Sequence, residues 1–133
     1  MERPLRKIML VEDDPDIQLI TRLSLEAGGN FEVHVCSSGA EALQSARAYA
    51  PDLMLLDVMM PGMDGMATMD ALRELPEMTA VPMIFFTAHA QRQVQRDLLQ
   101  RGALGVIVKP IEPQALVEQI QMLWQRFTAA RSP

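Results

Sequence analysis

The sequence predicts an α/β domain with a doubly wound, five-stranded parallel sheet and five helices, on three observations. Short apolar runs alternate with helical periodicities five times along the chain, the pattern of strands joined by crossover helices. The chain has 133 residues, enough for one sizeable core and too few for two. Four of the five apolar runs stop abruptly at polar residues: Glu12 and Asp13, Asp57, Thr87, and Lys109. Crossovers between parallel strands are right-handed, and a switch point in the winding opens a crevice at the strands' carboxyl ends, where ligands bind.

The first strand, Lys7–Val11, runs into the acidic stretch Glu12, Asp13, Asp14, Pro15, Asp16. Pro15 suits the first position of a helix, with Asp14 as its cap. That helix runs through Ile20, Leu23 and Ala27 and stops at Gly28 and Gly29. Capping and dipole compensation account for Asp14 and Asp16. They do not account for Glu12 and Asp13, which precede the cap and repel each other unless a cation is present. Residues 31–35 alternate apolar and polar, so this strand has one wet face and lies at an edge, with His34 on the solvated side. Ser38 and Glu41 make a capping box for a second helix, whose inward face is Ala42, Leu43 and Ala46.

The continuous apolar run Leu53–Leu56 is the buried central strand; it ends at Asp57, and Pro61, Gly62 and Gly65 punctuate the loop beyond. Asp64 caps a third helix over 65–75, closed by Pro76. A fourth strand over 83–86 ends in Thr87, Ala88 and His89. The next helix, over 90–101, turns Val94 and Leu98 inward, shows Gln91, Arg92, Gln95 and Arg96 outward, and ends at Gly102. The fifth strand, 106–108, runs into Lys109 and Pro110. A last helix begins near Pro113 and buries Leu116, Ile120, Leu123, Trp124 and Phe127 at helical spacing, which makes Trp124 a core residue. Only 1–4 and 129–133 read as tails, so residues 1–133 form one domain with a core of about 6–128.

Composition narrows the function. A net charge of −5 argues against direct binding of nucleic acid, whose phosphates call for a basic patch. No apolar run is long enough to span a bilayer and no signal peptide is visible, so no membrane is expected. Cys36 stands alone, which excludes an internal disulfide or a cysteine-based metal site and fits a cytoplasmic protein. The 11 methionines fill gaps in an aliphatic core rather than bind metal.

Alone, Asp57 has an ordinary reading as a strand-end turn residue. Its company changes that reading. Glu12, Asp13 and Asp57 in one crevice suit a hard divalent cation, and Mg²⁺ takes few protein oxygens while keeping its waters. Lys109 and the Thr87 hydroxyl opposite them suit an oxyanion, most naturally a phosphoryl group also touching the metal. A carboxylate can itself take up that group as the nucleophile, giving an aspartyl phosphate. Catalysis is then mostly positioning and charge neutralisation.

On these residues the chain resembles the receiver domains of two-component response regulators, in particular stand-alone receivers of the chemotaxis-regulator kind. The resemblance runs from Lys7 to about Phe127, through LVEDD, LLDVMMPGMDG around Asp57, FFTA at Thr87 and VKP at Lys109. It implies a flavodoxin-like fold with strand order 2-1-3-4-5. It also implies a phosphorelay role: Asp57 accepts phosphate from a histidine kinase or histidine phosphotransfer protein, and the surface switches for a downstream target protein. By the same resemblance Glu12, Asp13, Asp57 and the backbone carbonyl of Met59 hold Mg²⁺. Thr87 is the switch hydroxyl, Lys109 pairs with phosphate, and the Lys109-Pro110 bond is cis. Such a domain assists its own phosphorylation and dephosphorylation without being a separate enzyme, and is a monomer or weak dimer.

Two positions depart from the family pattern. Val106 stands where an aromatic residue is usual three positions before the lysine, and Ile111 stands where Phe often follows the Lys-Pro pair. Both leave the phosphorylation chemistry untouched and bear on the usual rotamer switch. No DNA-binding or catalytic domain follows Phe127, so the expectation is a stand-alone receiver or a piece of a longer protein. A phosphatase of the haloacid dehalogenase type would also use an aspartyl phosphate and Mg²⁺. It needs a second Asp two residues after the nucleophile, where this chain has Met59. A flavodoxin-like cofactor carrier is disfavoured, because an acidic crevice repels a nucleotide phosphate. Met59 and His89, two residues beyond Asp57 and Thr87, lie closest to the path of a water attacking the aspartyl phosphate. A thioether is a weak acceptor, so a long-lived phosphoryl group is expected unless a neutral His89 ring holds the water.

Overall fold

A computed structural model describes residues 3–88 and 91–131. Its strands are β1 (Lys7–Val11), β2 (Glu32–Cys36), β3 (Leu53–Leu56), β4 (Met83–Thr87) and β5 (Gly105–Val108). They form one parallel sheet in the order β2-β1-β3-β4-β5, so β2 is an edge and β3 is central, as the sequence patterns require. The helices are α1 (Pro15–Gly29), α2 (Gly39–Tyr49), α3 (Gly65–Arg73), α4 (Arg92–Gln100) and α5 (Pro113–Arg131).

Strand side chains alternate between faces, so β1 feeds two cores. Met9 and Val11 join Met54, Leu56 and Phe85 beneath Ala42, Ala46, Met69, Leu72 and Leu98 of α2, α3 and α4. Ile8 and Leu10 join Leu53, Leu55 and Ile84 beneath Leu25 of α1 and Leu116, Ile120 and Trp124 of α5. Each fully buried aliphatic or aromatic side chain contributes roughly 2 kcal/mol, which fixes the sheet and with it the spacing of the strand ends.

Asp14 caps α1, its carboxylate accepting from the N–H groups of Asp16 and Ile17, and Asn30 ends the helix at φ 57. The buried side of α1 is Thr21 and Leu25, four residues apart on one face. Ile20 and Leu23 lie roughly 100° and 200° around from Thr21 at 3.6 residues per turn. They are 62% and 51% exposed. β2 begins and ends one residue later than the alternation indicated: Phe31 is a core residue ahead of the strand, and Cys36, at 0% exposure, closes it. Burial pushes the Cys36 thiol up to about 11. The Ser38 hydroxyl accepts from the Glu41 N–H at 3.1 Å, but the Glu41 carboxylate accepts from Ser37, one residue earlier than a capping box prescribes.

α3 ends at Arg73 rather than Leu75, and Pro76 opens a short 3₁₀ turn, Pro76–Met78. Glu74 and Leu75 donate instead to the carbonyls three residues back, Ala71 and Leu72, so the chain tightens before the proline. The Arg73 guanidinium donates to the carbonyls of Thr79 (2.9 Å), Val81 (3.2 Å) and Gly102 (3.1 Å), tying the end of α3 to the segments entering β4 and β5. Gln91 precedes α4 as its cap position and makes no side-chain capping bond. Trp124 is 2% exposed, and its indole N–H donates to the Arg3 carbonyl at 2.7 Å. Residues 3–4 and 129–131, expected as tails, are therefore partly structural: Arg3 also pairs with Asp52 at 3.2 Å, and α5 continues to Arg131. Among the described residues no helix is long and apolar enough to cross a membrane.

Candidate functional site

Parallel register sets the site. Val11 pairs with Leu56, so the next residues, Glu12 and Asp57, leave the sheet side by side. The Asp57 N–H donates to the Val11 carbonyl at 3.0 Å, and the Glu12 N–H to the Cys36 carbonyl at 3.0 Å. Thr87 pairs with Val108, and the Lys109 N–H donates to the Thr87 carbonyl at 2.8 Å. The strands thus place all four ends along one edge, and Lys109 reaches back across it. Its ammonium donates to Glu12 Oε1 at 2.6 Å and to Asp57 Oδ2 at 3.4 Å, and lies 5.1 Å from the centre of the Phe86 ring.

Glu12 is only 2% exposed, whereas Asp13 is open to solvent and Asp57 is half-buried. Burial raises the Glu12 pKa above its ordinary value and the nearby Asp57 adds to that, against the opposing pull of Lys109 and of the Asp14 N–H. One oxygen from each of Glu12, Asp13 and Asp57 lies within 4.8 Å of the others. Three carboxylates facing a single ammonium leave an excess of negative charge. An all-oxygen donor set of that kind, part buried and part open, fits a hard divalent cation that keeps some of its water. Thr87 is fully buried at the end of β4. Met59 is 60% exposed, and its N–H donates to Asp57 Oδ1 at 3.4 Å. The Lys109-Pro110 bond is cis.

The structure therefore gathers Glu12, Asp13, Asp57, Met59, Thr87 and Lys109 at one edge. His89 lies outside the described residues. Val106 is partly buried against the core beneath α2, α3 and α4, and Ile111 against the opposite core. Two contributors escaped the sequence reading. Gln18 donates from its side chain to the Glu12 carbonyl and to Ser37 Oγ, anchoring the first acidic residue to the loop after β2. A glutamine inside a helix carries no sequence signal of that role. Gly65, read as a turn marker, starts α3 so close to β3 that a Cβ would overlap the Asp57 carbonyl oxygen. The glycine is the visible signal; the contact that demands it is tertiary.

A flavodoxin-like sheet with an acidic crevice at its switch point defines a class of α/β signalling domain. The chain belongs to the response regulator receiver domain family, whose model matches residues 8–121. It is 35% identical over 120 residues to an uncharacterized 14.6 kDa protein of Leptolyngbya boryana, covering 90% of this chain and 91% of the relative. It is 36% identical over 126 residues to the transcriptional regulatory protein CseB of Streptomyces avermitilis, covering 95% of this chain but 52% of the relative. The chain thus spans most of the first relative and about half of the second. The chemotaxis protein CheY4 of Vibrio cholerae superposes with a TM-score of 0.84 at 27% identity, over 90% of this chain and 99% of that one. Family membership makes this a module of two-component signal transduction, and receivers interact with histidine kinases and downstream effectors.

Proposed function

We propose that the domain takes a phosphoryl group onto Asp57 in an Mg²⁺-dependent reaction. One observation carries this reading: three carboxylate oxygens within 4.8 Å of one another, faced by Lys109, at the strand ends of a receiver fold. An Asp57 oxygen attacks phosphorus, the P–O or P–N bond to the donor breaks, and the donor leaves with that electron pair. Glu12, Asp13, Asp57 and the Met59 carbonyl would hold Mg²⁺, which when bound neutralises charge on the phosphoryl oxygens. Lys109 stabilises the same charge from the other side, and the Thr87 hydroxyl donates to a phosphoryl oxygen once the group is in place. The domain in this way assists its own phosphorylation and dephosphorylation. Intact mass after incubation with acetyl phosphate tests the proposal. One added phosphoryl group is expected with Mg²⁺ and none with a chelator; no uptake in the presence of Mg²⁺ overturns it.

The partner half of the reading rests on α1. Leu19, Ile20 and Leu23 are 50%, 62% and 51% exposed, and Leu23 borders a hollow lined by Ala27, Pro113 and Val117 together with Ser24, Gln114 and Glu118. Exposed apolar patches mark docking surfaces. The first residue of this one, Leu19, lies about 7.5 Å along α1 from the capped end beside Glu12, so a protein seated there can reach the strand ends with a phosphohistidine. The occupant fits a histidine kinase or histidine phosphotransfer protein. Ile20→Glu should therefore lower transfer from such a protein about tenfold or more, a desolvation cost of at least 1.4 kcal/mol, with acetyl phosphate uptake unchanged. Equal loss with both donors would remove α1 from the docking surface.

Output to a downstream target protein fits the β4–α4 segment. Val106 is β-branched and stiff at χ1, so it cannot fill space behind Thr87 by a ring swing. Movement of α4 is the route that remains. The acidic net charge, the single buried cysteine and the absence of a membrane-spanning helix among the described residues suit a cytoplasmic domain acting on proteins rather than on nucleic acid or membrane. The reading treats 1–133 as one receiver domain, a monomer or weak dimer.

A further inference from the structure

Methionines divide sharply by exposure. Met9, Met54, Met69 and Met83 are sealed at 0%, whereas Met59 is 60% exposed. Among the described residues only Met122 is comparably open, at 49%, and it lies more than two turns into α5. Met59 instead sits beside Asp57, its N–H 3.4 Å from Oδ1. The Met59 Cα is thus at most about 5 Å from that oxygen, one N–Cα bond farther on, so its exposed side chain starts at the crevice mouth.

We propose that Met59 is an oxidation site through which peroxide shortens the life of a phosphoryl group on Asp57. The inference rests on the phosphoacceptor reading given above. The thioether sulfur donates an electron pair to one peroxide oxygen, and the O–O bond breaks. That oxygen becomes the sulfoxide oxygen and the other leaves as water, so sulfur is oxidised and peroxide reduced. The thioether is a weak acceptor and leaves an approaching water unguided. The sulfoxide oxygen is a polar acceptor on the same side chain. It accepts one proton of the water and turns a lone pair toward phosphorus. One ordinary hydrogen bond gained only in the transition state is equivalent to about fivefold in rate.

The test uses the full chain, treated with hydrogen peroxide, freed of it, and mapped by peptide mass. Met59 and Met122 should carry sulfoxide before any core methionine does. Treated and untreated protein are then phosphorylated with acetyl phosphate and Mg²⁺, the donor is removed, and decay is followed by intact mass. Decay about fivefold faster after peroxide is expected. That response should be lost in Met59→Leu, kept in Met122→Leu, and reversed by methionine sulfoxide reductase. A decay rate unchanged or slowed by Met59 sulfoxide overturns the inference alone, as does an acceleration that persists in Met59→Leu. Absence of any phosphoryl uptake by untreated protein overturns the phosphoacceptor reading and the inference with it.

Discussion

Asp57→Asn is expected to abolish phosphoryl uptake completely. Lys109 reaches two carboxylates, Glu12 and Asp57, so only these have the cation that an incoming phosphoryl group needs. Glu12 is 2% exposed, with its oxygens occupied by the Lys109 ammonium and the Asp14 N–H. Asp57, with its side chain 12% exposed, is the more accessible of the two. An amide in its place keeps the shape and loses the nucleophile. It also relieves repulsion of Glu12, so the variant should stay folded with a melting temperature close to the wild type. Intact mass and peptide mapping decide the matter. A phosphoryl group retained by Asp57→Asn, or mapped to Asp13 or Asp14 in the wild type, would falsify the assignment.

Lys109→Met should cost about 3 kcal/mol at neutral pH, the usual penalty for stranding one partner of a buried ion pair. Methionine keeps the aliphatic reach and removes the charge, leaving Glu12 with Asp57 and no ammonium. The loss should depend on pH in a definite direction. Glu12 already has a raised pKa because burial disfavours its charged form, and the variant raises it further. A carboxyl with a folded pKa above its unfolded one costs stability at high pH. That cost shrinks as pH falls through the folded value and vanishes below the unfolded one. The gap between variant and wild type should therefore narrow on mild acidification. Mg²⁺ should restore more stability to the variant than to the wild type, since it replaces the missing positive charge. Urea titrations at two pH values, with and without Mg²⁺, measure all three effects. A gap that widens toward acid would mean that Glu12 is not the stranded group.

The sheet and its acidic edge were legible because a continuous apolar run that ends in a charged residue fits little besides a buried strand meeting a loop. Leu53–Leu56 into Asp57 and Ile8–Val11 into Glu12 are of this kind, and register alone then makes neighbours of Glu12 and Asp57. The inward face of α1 was less legible. Ile20 and Leu23 are apolar, yet the helix turns Thr21 and Leu25 to the core. Which stripe is buried depends on how α1 meets α5, and periodicity does not carry that information. The end of α3 slipped for a local reason: Pro76 marks a break, but the turn already tightens at Glu74 and Leu75, which donate to the carbonyls of Ala71 and Leu72. Gln18 and Gly65 belong with α1, since each serves the site through a contact distant in sequence.

The grip of Arg73 on three carbonyls has a mechanical consequence. Gly102 lies just past the C-cap residue of α4, Arg101, so this guanidinium ties the far end of that helix to α3 and to the entrance of β4. At the near end, Gln91 makes no side-chain cap bond. In the switch proposed above, α4 would act as a lever with its fulcrum near Gly102. Nine residues at 1.5 Å per residue make an arm of about 13 Å. A tilt of about 10° at the fulcrum sweeps the start of such an arm through about 2 Å. On the proposed phosphorylation of Asp57, a displacement of atomic size at the phosphoryl group would become a change of surface shape wide enough for another protein to read.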